Sequence, residues 1–350
     1  MITIQDCLTL SADKLPQLNA LFESEYRPAA EQRGMSLIET RLSPPLPLQR
    51  EAVNLWLRWQ VADVGAWWGM RAMAGTPEVA AFWQKVDALC ESRERFYPQD
   101  LQQLELVAAQ DTAAFQVQTR GHRETAQLAL RDGISDADVK ALRDALNRAA
   151  ELAGAEAVSV AENLAPEYAA GHYTFDLLFD SRASADAARA SQIWTQHIAP
   201  ALDQHCCAVH AQAMDTLGAG LRAAELSGAI KRTAFFRLLP GTDRDTAQRF
   251  EADLLEMPAQ IPQILNWRLS RAEPLPWHRS DDAPWTYVWE QEFASLDDLL
   301  GPYMTHPHHW SHIDRWFDPE SGIQAVDARL SHAFSPLSES LITREAVRGE

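Results

Sequence analysis

The sequence predicts an α+β protein made of three tandem ferredoxin-like units, which we call modules 1, 2 and 3. Two observations predict this fold. Apolar residues switch between the periods of strands and helices in the order strand, helix, strand, strand, helix, strand. This βαββαβ order recurs at intervals of about 105–115 residues. The predicted modules span residues 1–112, 122–218 and 229–336, and a polar tail follows over residues 337–350.

Module 1 begins with the strand TIQDCLTLS, the helix KLPQLNALFESEYRPAAEQRG and the strand MSLIETRLS. The proline-rich loop PPLPL precedes a second alternating strand, AVNLWLRWQV. A long helical stretch ending near Tyr97 and a closing strand, LQQLELVAA, complete the predicted module.

Module 2 repeats the order with the strand TAQLALRDG and the helix SDADVKALRDALNRAAELAG, which ends at Gly154. The strands AEAVSVAENLA and HYTFDLLFDS follow. ASADAARASQIWTQHIAPALDQH is the predicted second helix, and AVHAQAMDTL is the closing strand.

Module 3 begins with the strand IKRTAFFRLLPG and the helix DRDTAQRFEADLLEM. ILNWRLSRA and PWTYVWEQEF are the next strands, rich in β-branched and aromatic residues. The second helical region, LDDLLGPYMTHPHHWSHIDRWF, is interrupted by Pro302 and Pro307, and IQAVDARLSHAF closes the module.

Each predicted sheet is covered by helices on one face only, so its other face needs a partner. Two such sheets that face each other make an α/β barrel. Because three is an odd number, two modules can pair within the chain, while the third pairs with its copy in a second molecule or is covered in another way. The sequence therefore predicts a homodimer.

Charge and cysteine content narrow the function. The net charge is −18 and the pI is about 5.0, so the surface as a whole repels nucleic acid and anionic membranes. No charge-free apolar run approaches the roughly 20 residues that a membrane-spanning helix needs, and no signal peptide is evident. The four cysteines show no CxxC spacing, which favours the reducing cytoplasm.

Three stretches of module 3, KRTAFFRLLPG, WTYVWEQEFASLDDL and YMTHPHHW, carry a family resemblance. They resemble the stress-responsive dimeric α/β-barrel (Dabb) family, whose pattern includes a strand ending in Pro-Gly and a Tyr-x-x-His-Pro-x-His helix start. In module 1, VNLWLRWQVADVGAWWGMRAM and EVAAFWQKV look like a NIPSNAP-type barrel. Both resemblances imply the same ferredoxin-like architecture.

The Dabb resemblance also implies a site. Cyclases of the family work without metal or organic cofactor, in a pocket between the sheet and its helices. Their last histidine of His-Pro-x-His and the preceding tyrosine serve acid–base chemistry and orientation, and these positions are His309 and Tyr303 here. A further catalytic histidine of the cyclases lies on the third strand, where this sequence has Tyr287, a candidate hydrogen-bond donor.

Other residues are candidates for holding a ligand. A proline at the first turn of the helix places His309 and His312 on one side of it, beside the apolar stripe that contains Trp310. Trp285, Trp289 and Trp310 would suit a flat aromatic ligand, or they fill the core of the barrel. Arg232, on the first strand of module 3, could pair with a substrate carboxylate.

Four histidines lie between His306 and His312, yet their helical spacing diverges too far for a shared metal ion, so no metal site is predicted. The leading hypothesis is a cofactor-independent lyase, cyclase or isomerase that acts on an aromatic or polyketide-like carbonyl compound, since no nucleophile triad is evident. One alternative is a non-catalytic small-molecule-binding or stress-response protein. The other is a haem-dependent enzyme, because haem enzymes with one axial histidine use related barrels.

Overall fold

The computed structural model describes residues 1–103 and 108–347, and the chain divides into two compact units. The N-terminal unit combines Met1–Ala108 with Thr305–Arg329. The barrel unit combines Ala109–Met304 with Leu330–Glu350. The three-module division stays a prediction, but one segment of module 3 belongs by its contacts to the N-terminal unit.

The N-terminal unit has one antiparallel sheet of four strands in the order β2-β3-β1-β4. Its elements in chain order are β1 (Ile2–Ser11), α1 (Leu15–Leu21), α2 (Arg27–Gln32), β2 (Ser36–Ser43), β3 (Ala52–Val61), α3 (Val64–Ala74), α4 (Pro77–Asp87) and β4 (Ser92–Phe96). Alternate residues of β1 and β3 are buried against the helices, as strand periodicity requires. The opposite face of this sheet is partly exposed, and Phe96 on it is 40 % exposed.

The segment Thr305–Arg329 is fixed in the N-terminal unit by buried ion pairs. Glu320 is 2 % exposed and accepts from Arg33 Nη2 at 2.8 Å and from Arg95 Nη1 at 2.9 Å. Arg71 pairs with Asp314 at 2.5 Å. Several carboxylate–arginine bonds on one short segment hold it in place, because a buried charge that loses its partner is costly.

The barrel unit carries the remaining elements. In chain order these are β5 (Gln118–Thr119), β6 (His122–Leu130), α5 (Asp136–Asn147), β7 (Ala155–Glu162), β8 (Tyr173–Phe179), α6 (Arg182–Arg189), α7 (Ala199–His205), β9 (Cys206–Leu221), β10 (Ala229–Phe236), α8 (Arg244–Gln260), β11 (Asn266–Pro274), β12 (Tyr287–Phe293), α9 (Leu296–Asp298), β13 (Ser331–Leu337), α10 (Leu341–Glu345) and β14 (Ala346–Val347). Wider helical turns continue α9 over Leu299–Tyr303.

Eight strands of modules 2 and 3 form one antiparallel sheet in the order β13-β10-β12-β11-β9-β6-β8-β7. Strand β9 of module 2 pairs with β11 of module 3 and joins the two halves. The two ends of the sheet approach each other, since the Leu164 N–H donates to the Phe334 carbonyl at 2.7 Å. The predicted α+β fold is confirmed, and modules 2 and 3 supply each other's partner sheet in a nearly closed barrel.

The two faces of the barrel sheet differ in chemistry. The helix-facing side of module 2 is apolar, with Phe175 and Leu128 fully buried beneath Leu142 of α5. The inner side carries buried charges. Lys231 pairs with Asp176 at 2.8 Å, and Arg268 pairs with Glu345 of α10 at 3.1 Å, so these inner charges are mutually compensated.

Some predicted element boundaries differ from the observed ones. In module 1, residues Ser92–Phe96 form the edge strand β4, which pairs with β1. The sequence had predicted helix for these residues, up to Tyr97. The predicted strand LQQLELVAA has a short helical turn at Leu101–Gln103, and its residues 104–107 lie outside the described residues. The last strand of module 3 begins at Ser331, later than predicted. The residues before it belong to the segment Thr305–Arg329, which lies in the N-terminal unit.

Of the predicted tail, residues 337–347 are described, and Leu341 and Ile342 within it are buried. Within the described residues, no helix has both the length and the apolar character that crossing a bilayer would demand.

Candidate functional site

The candidate site lies on the helix-facing side of β10, β12 and β13 in the barrel unit. Arg232 precedes Phe236 on β10 by four residues, and the Phe236 ring packs 5.9 Å from Phe250 of α8. Because side chains alternate along a strand, Arg232 points to the same side as Phe236. Arg232 is only 3 % exposed. The sheet therefore presents a buried cation towards the helical side of module 3.

Gln291 links Arg232 to Tyr303. It faces Arg232 across the β10–β12 pair, and its Oε1 accepts from Arg232 Nη1 at 2.7 Å and from the Tyr303 hydroxyl at 3.1 Å. Both partners are donors, so the amide must turn its oxygen towards them. This orientation leaves Gln291 Nε2 buried without a hydrogen-bond partner among the described residues.

His332 of β13 contacts Arg232 on the other side. Arg232 Nη2 meets His332 Nδ1, and a guanidinium can only donate, so this ring nitrogen accepts and the ring proton lies on Nε2. The guanidinium carbon lies 5.7 Å from the centre of the Tyr303 ring. Arg232 is thus surrounded by an amide oxygen, an imidazole nitrogen and an aromatic face, all of them neutral.

Burial dominates the electrostatics of this group. Burial lowers the pKa of Arg232, and among the described residues only the Tyr303 phenol opposes this shift. The guanidinium nevertheless stays charged at neutral pH because its ordinary pKa exceeds 12. Burial raises the pKa of Tyr303, so its phenol stays protonated and remains a donor. We call Arg232, Gln291, Tyr303 and His332 the Arg232 group.

Trp289 extends the Arg232 group along β12. It lies two residues before Gln291 on the same strand, so both side chains point to the same face. Trp289 is 1 % exposed, and its indole Nε1 has no hydrogen-bond partner among the described residues. Strand β12 therefore carries two buried N–H donors on the face of Arg232: Gln291 lies opposite Arg232, and Trp289 lies opposite Ala234, two residues further along β10.

Trp285 and Tyr287 make other contacts. The Trp285 indole donates to His210 Nδ1 at 3.2 Å, and Trp285 packs with the inner-face residue Phe235. The Tyr287 hydroxyl donates to Glu251 of α8 at 2.7 Å, and burial raises the pKa of Tyr287. Neither residue hydrogen-bonds to the Arg232 group, whereas Arg232 and Tyr303 are brought together.

Three other predicted site residues lie in the N-terminal unit: His309, Trp310 and His312. His309 is 8 % exposed, and its ring centre lies 5.2 Å from that of Trp68. Trp310 packs 5.5 Å from Trp67, and His312 stacks on His308 at 4.7 Å. The roles predicted for these residues stay predictions.

Sequence reasoning did not select Gln291 or His332. Both lie in strands, where the sequence gives only alternation, and their bonds to Arg232 join residues 59 and 100 positions apart. The antiparallel register brings them together. A polar residue at a helix-facing strand position was the available signal, because such a position is normally apolar.

Several neutral and charged donors around one buried position can stabilise a negative charge on a ligand. No group of three or more His, Cys, Asp or Glu side chains within residues 1–103 and 108–347 is arranged to hold a metal ion.

Modules 2 and 3 together have the architecture of a nearly closed α/β barrel. Residues 230–329 match the family model of the Stress responsive A/B Barrel Domain, which confirms the resemblance of module 3 to the Dabb family. No curated protein matches the sequence.

Solved structures with similar folds have low sequence identity to the chain. An anthrone oxidase-like protein is 10 % identical, with 67 % of this chain and 94 % of that chain covered and a TM-score of 0.46. A NIPSNAP domain protein from Burkholderia xenovorans is 17 % identical over 30 % of this chain and 100 % of that chain, with a TM-score of 0.24. A haem-binding protein from Thermus thermophilus is 11 % identical over 67 % of this chain and 95 % of that chain, with a TM-score of 0.37.

Proposed function

We propose that the protein is a cofactor-independent lyase, cyclase or isomerase that acts on an aromatic or polyketide-like carbonyl compound. The observation that carries this proposal is the buried Arg232 group, which lies on the helix-facing side of the module that matches the Dabb family. Polar groups that converge in a buried position are typical of sites that bind and orient small molecules.

The Arg232 group suits reactions that pass through an enolate or another oxyanion. A carbonyl oxygen that gains negative charge would be stabilised by the Arg232 guanidinium and by the protonated Tyr303 phenol. Because the Arg232 guanidinium is already fixed by Gln291 and His332, it needs little reorganisation during the reaction. Tyr303 thereby positions the substrate, and it donates a hydrogen bond to it by exchanging Gln291 Oε1 for the substrate oxygen, because a phenol has a single proton to donate.

His309 is the proposed general acid/base, and this role rests on the Dabb resemblance. A histidine is suited to it, because its ordinary pKa lies near the working pH. For Tyr287, the proposed role as donor requires that its hydroxyl exchange Glu251 for the ligand.

The proposal is tested by screening aromatic and polyketide-like carbonyl compounds with the wild-type protein, His309→Ala and Tyr303→Phe. We expect His309→Ala to lower turnover by roughly 10²- to 10⁴-fold while ligand binding persists, as loss of a general acid/base does. His172→Ala is the matched control, since this ring in module 2 accepts the Leu130 N–H outside the Arg232 group.

Unchanged turnover in both His309→Ala and Tyr303→Phe would contradict the roles proposed for these residues. Compounds that bind the wild-type protein without being turned over would contradict the proposed function and favour a non-catalytic binding protein. The same preparations should give no Soret band before or after haem is added. A Soret band would favour a haem enzyme instead.

We also propose that the protein is a homodimer that pairs through the open face of the N-terminal sheet. Modules 2 and 3 already cover each other, whereas Trp56 and Phe96 on this face remain partly exposed. Arg41 and Arg58 lie near one edge of the face, and Glu94 lies on the edge strand opposite. Both arginines already pair with Glu39 on the same face, so the exposed apolar surface of Trp56 and Phe96 carries the proposal.

A reducing, cytoplasmic location is part of the same proposal. All four cysteines are free thiols, and the adjacent pair Cys206 and Cys207 has one buried and one exposed member. Free thiols are typical of proteins in reducing compartments.

A further inference from the structure

Seven cationic side chains are buried among the described residues: Arg33, Arg71, Arg95, Arg123, Lys231, Arg232 and Arg268. Six of them pair with carboxylates at 3.1 Å or less. Arg232 is the exception within the part of the chain that the structure describes, since it bonds to Gln291 and His332 and to no carboxylate. An isolated buried charge is normally compensated, so this exception needs an explanation.

The contrast between Arg232 and its neighbour Lys231 is direct. Lys231 is 5 % exposed on the inner face and pairs with Asp176 at 2.8 Å and with Glu290 at 2.5 Å. Arg232 is 3 % exposed on the helix-facing side and bonds only to neutral acceptors. Lys231 and Arg232 are buried to a similar degree, but of the two only Lys231 has a counter-ion among the described residues. This difference indicates that the anion for Arg232 comes from outside the chain.

The two unpartnered donors beside Arg232 fit such an anion. Gln291 Nε2 and Trp289 Nε1 are buried, have no partner among the described residues, and point to the same face as Arg232. A carboxylate accepts hydrogen bonds at two oxygens and would satisfy both donors together with the cation.

We propose that Arg232, Gln291 and Trp289 form a carboxylate-binding site, so that the ligand of this protein is an aromatic carboxylate. This inference rests on the proposed function, because it names the chemical class of the substrate at the same site. Since Gln291 and His332 take two of the five guanidinium N–H groups, Arg232 can bind both the carboxylate and the neighbouring carbonyl oxygen of one ligand. One arginine with two neutral donors matches a single negative charge, whereas phosphate-binding sites generally assemble several cations or a helix N-terminus. The rings of Trp289 and Tyr303 favour a flat ligand body.

The test compares benzoate with benzamide, its neutral isostere, on the full-length protein. Binding is followed by ligand-observed NMR and by the midpoint of thermal unfolding. We expect benzoate to bind and to raise the midpoint, and benzamide to bind at least tenfold more weakly. In Arg232→Gln, benzoate affinity should fall roughly 10- to 100-fold, the range for loss of a charge-assisted hydrogen bond.

The empty protein provides a second readout. Arg232→Gln should keep most of its thermal stability without ligand, because it removes an uncompensated charge and retains a donor for Gln291. Arg123→Gln is the matched control, since Arg123 is equally buried but pairs with Glu290 at 2.9 Å, and its loss should lower the midpoint strongly.

Three results would overturn the inference. These are equal binding of benzoate and benzamide to the wild type, undiminished benzoate binding by Arg232→Gln, and inorganic phosphate binding as strongly as benzoate. If benzoate binding depends on Arg232 while the wild-type protein turns over none of the carbonyl compounds screened, the inference stands and the proposed enzymatic function fails.

Discussion

At the scale of single residues, the barrel unit separates two kinds of buried polar group by strand alternation. Lys231 and Glu292 lie on the inner face of the sheet, and Arg232 and Gln291 lie opposite them on the helix-facing side. On the inner face Lys231 belongs to a structural network of compensated charges with Asp176 and Glu290, and the outer set is the candidate site. The sequence shows that these residues alternate, yet it does not show which face each set occupies.

Glu292 makes the stability depend on pH. Burial raises the pKa of Glu292 to about 7, although Asn266 donates to its carboxylate at 2.7 Å. A raised pKa means that the folded state holds this proton more tightly than the unfolded state does. The stabilisation by Glu292 is therefore full below about pH 4.5 and is lost as pH rises towards 7.

The variant Glu292→Gln should remove this dependence, because the amide cannot ionise. Relative to the wild type, we expect its free energy of unfolding to improve by up to about 3 kcal/mol between pH 5 and pH 8. Denaturant unfolding at both pH values measures the difference. A constant difference between the two proteins would contradict a raised pKa.

At the scale of elements, the segment Thr305–Arg329 was the hardest to predict. Its His-Pro-x-His motif identifies the family, and Pro302 and Pro307 predict its broken helix. Its place in the N-terminal unit depends on carboxylate–arginine pairs up to 287 residues apart in sequence, such as Glu320 with Arg33. Hydrophobic periodicity is a local signal and contains no information on such pairs.

Modules 2 and 3 were predicted better because their strands and helices are determined locally. Strand β8, YTFDLLF, and helix α5 lie where alternation and capping place them, and Ser135 caps α5 through the Asp138 N–H at 3.2 Å. In the candidate site, Arg232 and Tyr303 were selected from the sequence, whereas Gln291 and His332 required the strand register.

Removing the charge of Glu320 tests how the segment is anchored. Glu320→Gln leaves the buried Arg33 and Arg95 short of their carboxylate, so we expect it to destabilise the N-terminal unit by roughly 3–5 kcal/mol. Hydrogen exchange should rise in residues 305–329. Glu23→Gln is the control, because its pair with Arg27 is exposed and contributes little.

If Glu320→Gln unfolds at the same denaturant concentration as Glu23→Gln, the buried pairs do not hold the segment. Protection in residues 305–329 that matches the wild type would lead to the same conclusion.

At the scale of the whole molecule, the number of modules determines the oligomeric state that we expect. The barrel unit closes its sheet within one chain, and the N-terminal sheet retains a half-exposed face. Because the chain has three modules and two of them pair with each other, the open face of the N-terminal sheet is the predicted surface for binding a second copy.

Trp56→Glu should weaken this association, because a charge would replace an aromatic ring in the middle of the open face. We expect sedimentation velocity to show dimers for the wild type and monomers for Trp56→Glu. Leu46→Glu is the control, since Leu46 is 83 % exposed in a loop and should not alter the mass. A monomeric wild type, or a Trp56→Glu variant that stays dimeric, would contradict the proposed surface.

The pairing of β9 with β11 within one chain also affects how the sequence of this barrel can evolve. In a barrel made from two identical chains, every substitution appears twice and must be tolerated in both halves. Here the halves are different stretches of one polypeptide, so each substitution appears once. Module 3 can therefore keep an uncompensated buried cation such as Arg232, while module 2 can evolve for stability alone.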